Sequence, residues 1–195
     1  MKVPKALRCA VALLCLASAT AWSAAGVEGE SLGQLMALLA QRRQGSADFE
    51  QTQYLSALKQ PQHSSGVLTY QAPDHLEEHT LKPHEQSMVL DHGMLTLTSG
   101  KRRRTLRLQD YPEIAPLIDS IRATLAGDRA ALEQRFELSF QGTLDRWQLL
   151  LTPRDAHLAA TVQRIRIGGQ RDAILEVEVQ QSDGDHSLMT IKPRE

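Results

Sequence analysis

His75, Glu77 and His79 alternate along one predicted strand, with His84 close behind, and these are the residue types of a metal site. Their spacing works against that chemistry. Side chains at i and i+2 of a strand stand about 6.8 Å apart, too far to converge easily on one ion. A row of alternating polar residues is also what the solvent face of a sheet shows. Asp91-His92-Gly93 places a carboxylate beside an imidazole, as half of a catalytic dyad would. Asp and Gly at that spacing serve a hairpin turn better, with His92 exposed at its tip. The sequence contains no Gly-x-Ser-x-Gly elbow, no His-Glu-x-x-His helix and no phosphate loop. No catalytic residue, metal ligand or cofactor is therefore assigned, and the chain is not expected to be an enzyme. Lys101-Arg102-Arg103-Arg104 is the most localised charge feature. At the start of a predicted strand it would protect a sheet edge, or dock an acidic partner or anionic headgroups. Strand alternation divides these side chains between two faces.

The chain of 195 residues has 42% hydrophobic and 23% charged residues and a formal net charge of −1. It lacks the basic excess of a nucleic-acid binder and the apolar-poor composition of a disordered segment. Lys2, Lys5 and Arg8 precede the apolar run from Cys9 to Ala21, and small residues follow as Ala21-Trp22-Ser23 and Ser23-Ala24-Ala25. That order is a secretory signal peptide, expected to span 1–25, because a bilayer crossing takes about 20 apolar residues. Leu14 directly before Cys15 argues against a lipid-modified N-terminus. Both cysteines, Cys9 and Cys15, lie in the leader, so residues 26–195 carry none. A secreted domain of that size without disulfides suits a bacterial periplasm. No second apolar run approaches membrane-spanning length, so 26–195 is expected as one soluble, monomeric domain.

Leu32, Leu35, Met36 and Leu39 recur at helical spacing after Ser31, a candidate cap, with Arg42-Arg43 near the C-terminal end and Gly45 to stop the helix. Short alternating runs then predict strands at roughly 47–55, 65–71, 75–82, 86–91, 94–99 and 102–108. Turn residues separate them at Ser64-Ser65-Gly66, Pro73-Asp74, Lys82-Pro83, Asp91-His92-Gly93 and Ser99-Gly100. Ile114, Leu117, Ile118, Ile121 and Leu125 trace one face of an amphipathic helix opened by Pro112 and Pro116. Asp128 caps a second short helix. Strands resume at roughly 135–142, 146–152, 161–167, 172–181 and 186–191, with turns at Gly142, Pro153, Gly168-Gly169 and Asp183-Gly184. About eleven strands in one antiparallel meander with inserted helices make an α+β domain whose sheet must curl or close around an apolar concave face. The helices either complete an ordinary core there or leave a cavity suited to acyl chains. Trp147, Phe136 and Phe140, on strands with Leu138, Leu149 and Leu151, are core or cavity wall.

Four stretches carry a family resemblance. Ala47-Asp48-Phe49-Glu50-Gln51-Thr52-Gln53, after an amphipathic helix, resembles the opening strand of the periplasmic outer-membrane lipoprotein carrier family (LolA). Ser65-Gly66-Val67-Leu68-Thr69-Tyr70-Gln71-Ala72-Pro73 resembles its second strand. The segment from Pro83 through Met88 and Leu90 to Gly93 resembles its Asp-Gly hairpin, and Leu149-Leu150-Leu151-Thr152-Pro153 its late strand end. The resemblance implies an unclosed half β-barrel of about eleven antiparallel strands with an N-terminal helix and an inserted helical lid over an apolar cavity. It further implies a carrier of acylated cargo, passing between an inner-membrane exporter and an outer-membrane acceptor. Phe49, Leu68, Tyr70, Leu76, Met88 and Leu90 would line the acyl site, with the lid face of Ile114, Leu117, Ile118, Ile121 and Leu125. Leu138 and Leu149 would join them from later strands. Ala72-Pro73 stands where the family commonly has Arg-Pro, whose arginine helps hold the lid, and the aromatic pair beyond falls on Leu76 and Glu78. These departures widen the expected cargo from lipoproteins to glycolipids and other acylated molecules. The same half-barrel serves elsewhere as a lipid-sensing regulatory module, which is the second expectation; a lipid-modifying enzyme is the third.

Overall fold

The computed structural model describes residues 24–112 and 115–194, with side chains from Ser31 onward. The expected leader lies almost wholly outside these residues. Helix α1 (Ala24–Leu39) leads into six strands: β1 (Gln44–Tyr54), β2 (Gln62–Gln71), β3 (His75–Lys82), β4 (Gln86–Asp91), β5 (Met94–Ser99) and β6 (Arg102–Arg107). A 3-10 turn at Leu108–Asp110 and helices α2 (Ala115–Leu125) and α3 (Arg129–Arg135) follow. The chain then returns through β7 (Phe136–Thr143), β8 (Arg146–Pro153), the short α4 (Ala156–Ala159), β9 (Val162–Gln170), β10 (Ala173–Gln181) and β11 (His186–Pro193). All eleven strands form one antiparallel sheet in the order β6-β5-β4-β3-β2-β1-β11-β10-β9-β8-β7. The sheet does not close: β6 and β7 are its two edges, and α2 and α3 lie on the segment between them. This is the antiparallel α+β sheet that the alternation predicts, left unclosed as the half-barrel that the family resemblance implies.

Several boundaries differ from the sequence expectation, each for a local reason. Ser31 sits inside α1, since no proline stands between Ala24 and Ser31 to stop the helix upstream. The helix closes not at Gly45 but at Leu39, where the amides of Gln41 and Arg42 bond three residues back and tighten the last turn. Gly45 is already in β1, paired with Tyr70. Ser64, Ser65 and Gly66 also lie within a strand, β2. Gly66 permits a close approach there, as a Cβ would strike the backbone carbonyl of His79 beside a bulge in the β2–β3 ladder. Gly142, Gly168 and Gly169 are strand residues too, not turns. A side chain at Gly169 would occupy the space of the Trp147 indole, whose Nε1–H donates to the Arg171 carbonyl at 2.9 Å.

The main core lies under the C-terminal strands. Leu32, Leu35, Met36 and Leu39 of α1 pack with Phe136, Phe140, Trp147, Leu149, Leu151, Ile165 and Ile167. Each such side chain contributes about 1.5–3 kcal/mol by leaving water. A second, much smaller cluster of Leu90, Leu95 and Leu108 lies under the N-terminal strands. The two halves of one sheet are therefore filled unequally.

Candidate functional site

Antiparallel register fixes which side chains share the concave face of β2–β6. One row runs Tyr70, Leu76, Leu90, Leu95, Leu106. One step along the strands the row is Leu68, Glu78, Met88, Leu97, Arg104; the next is Gly66, Thr80, Gln86, Ser99, Arg102. Exposure rises from row to row. Leu95 is 2% exposed and Leu97, two residues on, is 38%. Leu90 is buried, Met88 half-buried and Gln86 exposed. The wall is dry at one end and open at the other, across two steps of about 6.8 Å.

Helix α2 stands over the dry end, rotated in an unexpected way. Pro116, Ser120, Ala123 and Thr124 share its buried side. Ala123 joins the main core with the residues of α1, and just beyond the helix a Cβ at Gly127 would strike the Met36 carbonyl. The two buried hydroxyls are satisfied within the helix, Ser120 donating to the Leu117 carbonyl and Thr124 to the Ser120 carbonyl, both at 2.7 Å. Leu117, Ile118, Ile121 and Leu125 follow on the adjacent side at 3.6 residues per turn, and all four are only half-buried. Leu117 packs on the main core, whereas Ile118 packs on the second cluster with Leu76, Met88 and Leu106.

The expected site residues divide accordingly. Leu68, Tyr70, Leu76, Met88 and Leu90 share one concave wall, with Ile118 against it. Phe49 lies mid-sheet between Gly66 and Ile191, 2% exposed. Leu149 is fully buried in the main core, and Leu138 packs against it, as Leu117 does. Ile114 lies outside the described residues. Residues 22–191 match the family described as outer membrane lipoprotein carrier protein LolA-like. The chain belongs to this family.

Solved structures similar to the LolA-like chain are all distant. A LolA superfamily protein from Nitrosomonas europaea is 10% identical, covering 86% of this chain and 94% of its own, with a TM-score of 0.43. A DUF1329 family protein from Desulfovibrio piger is 10% identical, covering 84% and 90%, at 0.48. The MucA/MucB complex of Pseudomonas aeruginosa contains a chain 14% identical, covering 83% of this chain and 54% of its own, at 0.44. Among curated proteins none matches.

Two polar groups interrupt the apolar wall of the LolA-like chain: Tyr70, expected in the acyl lining, and Glu78, to which the sequence reading gave no place there. The Tyr70 hydroxyl is buried without a hydrogen-bond partner, and burial pushes its pKa up. Glu78 projects from the middle row between Leu68 and Met88, and burial raises its pKa above the usual carboxylate range. Thr80 Oγ1 donates to its Oε1 at 3.1 Å and partly offsets that rise. The alternation after the Pro73-Asp74 turn puts Glu78 in phase with Leu76, a signal present in the sequence once the inward face is known.

His75, Glu77 and His79 lie on the opposite, convex face and do not converge. His75 faces Asp91 at 3.4 Å and His79 faces Glu85 at 3.1 Å. His92 and Gly93, at φ 49° and 74°, form the two-residue hairpin expected of Asp91-His92-Gly93. The hydrogen bond from His92 holds the Asp91 carboxyl below its usual range, with His75 adding to it. Asp74, Asp91 and His92 bring ligand-type atoms within 4.8 Å of one another, yet Asp91 is engaged by two imidazoles and the group pins a turn. A separate cleft of about 470 Å³ opens between the β4–β5 hairpin, the start of α2 and α4, with Arg107, Asp119, Arg135 and His157 in its lining.

Proposed function

We propose that this protein is a periplasmic carrier that shelters acyl chains between α2 and the concave wall of β2–β6, without a catalytic step. The carrying observation is the rotation of α2. It buries its small, hydroxyl-bearing side and leaves Leu117, Ile118, Ile121 and Leu125 half-buried, with Ile118 against Leu76 and Met88 of the wall. A helix serving only a core would bury its largest aliphatic residues first. Acyl chains carried through water cost about 0.8 kcal/mol per exposed CH₂, and this surface is where that cost is offset. Family membership supports the same reading. The orphan Tyr70 hydroxyl adds a donor where an ester or amide carbonyl of the cargo would pass.

On this reading a leader of residues 1–25 directs export and is removed, leaving a domain of residues 26–195. The monomer takes a lipoprotein, glycolipid or other acylated molecule from an inner-membrane exporter and yields it to an outer-membrane acceptor. Absence of any membrane-length apolar helix among the described residues fits that itinerary. The test is native mass spectrometry of the protein purified from a bacterial periplasm, followed by identification of released lipid. A mature mass starting at Gly26 with a stoichiometric acylated ligand is expected. Failure of both co-purified and added acyl lipids to bind would sink the proposal.

A further inference from the structure

Edge strand β6 carries the basic run, and its register separates the side chains by face. Arg104 pairs with Leu97 and Arg102 with Ser99, which places both on the concave wall; Arg103 pairs with Thr98 on the convex side. Arg102 and Arg104 are exposed, and among the described residues neither has an ion-pair partner. Other arginines are matched: Arg42 with Asp172, Arg122 with Asp119, Arg171 with Asp145 and Arg194 with Asp48. Within the three concave rows of β2–β6 the single acidic side chain is Glu78, half-buried and hydrogen-bonded to Thr80, with no arginine against it among the described residues. The open end of the wall is thus cationic and uncompensated. Arg104 also borders apolar surface in two directions, Leu97 across the ladder at about 5 Å and Leu106 two residues along the strand.

We infer that Arg102 and Arg104 form a headgroup subsite that selects acylated cargo with an anionic head, the acyl chain lying over Leu97, Met88 and Leu76 toward α2. The inference rests on the acyl-carrier reading and adds the charge class of the cargo. Phosphate, sulfate or carboxylate oxygens would accept charge-assisted hydrogen bonds from the guanidinium forks at the wet end of the groove. The dry end would take the chain terminus.

The experiment compares lysophosphatidylglycerol with lysophosphatidylcholine of the same acyl chain, each below its micelle-forming concentration. Titrations use wild-type protein, Arg102→Gln/Arg104→Gln, and Arg103→Gln as the opposite-face control. Wild type is expected to prefer the anionic lipid by about tenfold, the scale of one charge-assisted contact, and the preference should shrink with added salt. The double variant should lose the preference, its affinity for the anionic lipid falling further than that for the zwitterionic lipid, whose choline partly neutralises the phosphate, and Arg103→Gln should keep the preference. Glycerophosphate, which lacks the chain, should not compete. Tight binding of both lipids without preference overturns the headgroup subsite and leaves the acyl groove standing. Equal loss of preference in Arg103→Gln, or competition by glycerophosphate at lipid-like concentrations, overturns it as well. Binding of neither lipid removes the acyl groove and this subsite together.

Discussion

Replacing Ile121 and Leu125 together by alanine separates a binding surface from a core. Alanine is the best helix former, so α2 persists. Complete burial of such a side chain contributes about 1.5–3 kcal/mol. Both residues are half-buried, so folding draws on about half of that, and on the carrier reading a bound acyl chain would draw on the rest. The double variant should therefore lose about 1.5–3 kcal/mol of stability, less the helix preference of alanine. Binding should lose about 1 kcal/mol per side chain, which together is about 30-fold in Kd. Leu149→Ala is the contrast: it is fully buried in the main core, and its truncation should cost about 2–5 kcal/mol in stability. Urea unfolding followed by the fluorescence of buried Trp147 reads stability, and titration with a fluorescent fatty acid reads binding. A Kd within twofold of wild type, or an unfolding midpoint lowered as far as by Leu149→Ala, would show α2 to be ordinary packing.

Two further substitutions probe the polar groups in the wall. Tyr70→Phe removes a buried hydroxyl that has no partner, so the ligand-free protein should gain about 1 kcal/mol in urea unfolding while its affinity for an acyl ester falls relative to the matching alkyl ether. Glu78 binds its proton more tightly when folded than when unfolded, so its contribution is greatest at low pH and declines as pH rises from the unfolded pKa through the raised folded one. Glu78→Gln should flatten that decline and raise the melting temperature at neutral pH; thermal melts from pH 4 to 8 with an unchanged slope would refute the assignment.

The strand count, the antiparallel meander and the inserted helices were legible because alternation and turn residues act locally. Which half of the sheet is filled was not. Leu149 and Leu76 are both apolar strand residues, and only the placement of α1 over β7–β10 makes one of them core and the other wall. The rotation of α2 was hidden for a related reason. Periodicity marks its aliphatic row as the side to bury, yet Ser120, Ala123 and Thr124 go inward because their bulk is small and the hydroxyls close on the helix's own carbonyls. Glu78 was missed because alternation gives two faces without saying which is concave. The same ambiguity split the basic run correctly between faces while leaving open where Arg102 and Arg104 pointed.

The unequal filling of the sheet has a consequence for how such proteins diverge. The larger core unites the C-terminal strands with α1, while on the carrier reading the surface offered to cargo belongs to β2–β6 and α2. The two halves of the sheet meet along the β1–β11 ladder. Residues on the wing can therefore be exchanged for a new cargo without undermining what keeps the chain folded. One architecture can then be retuned by drift on a single wall.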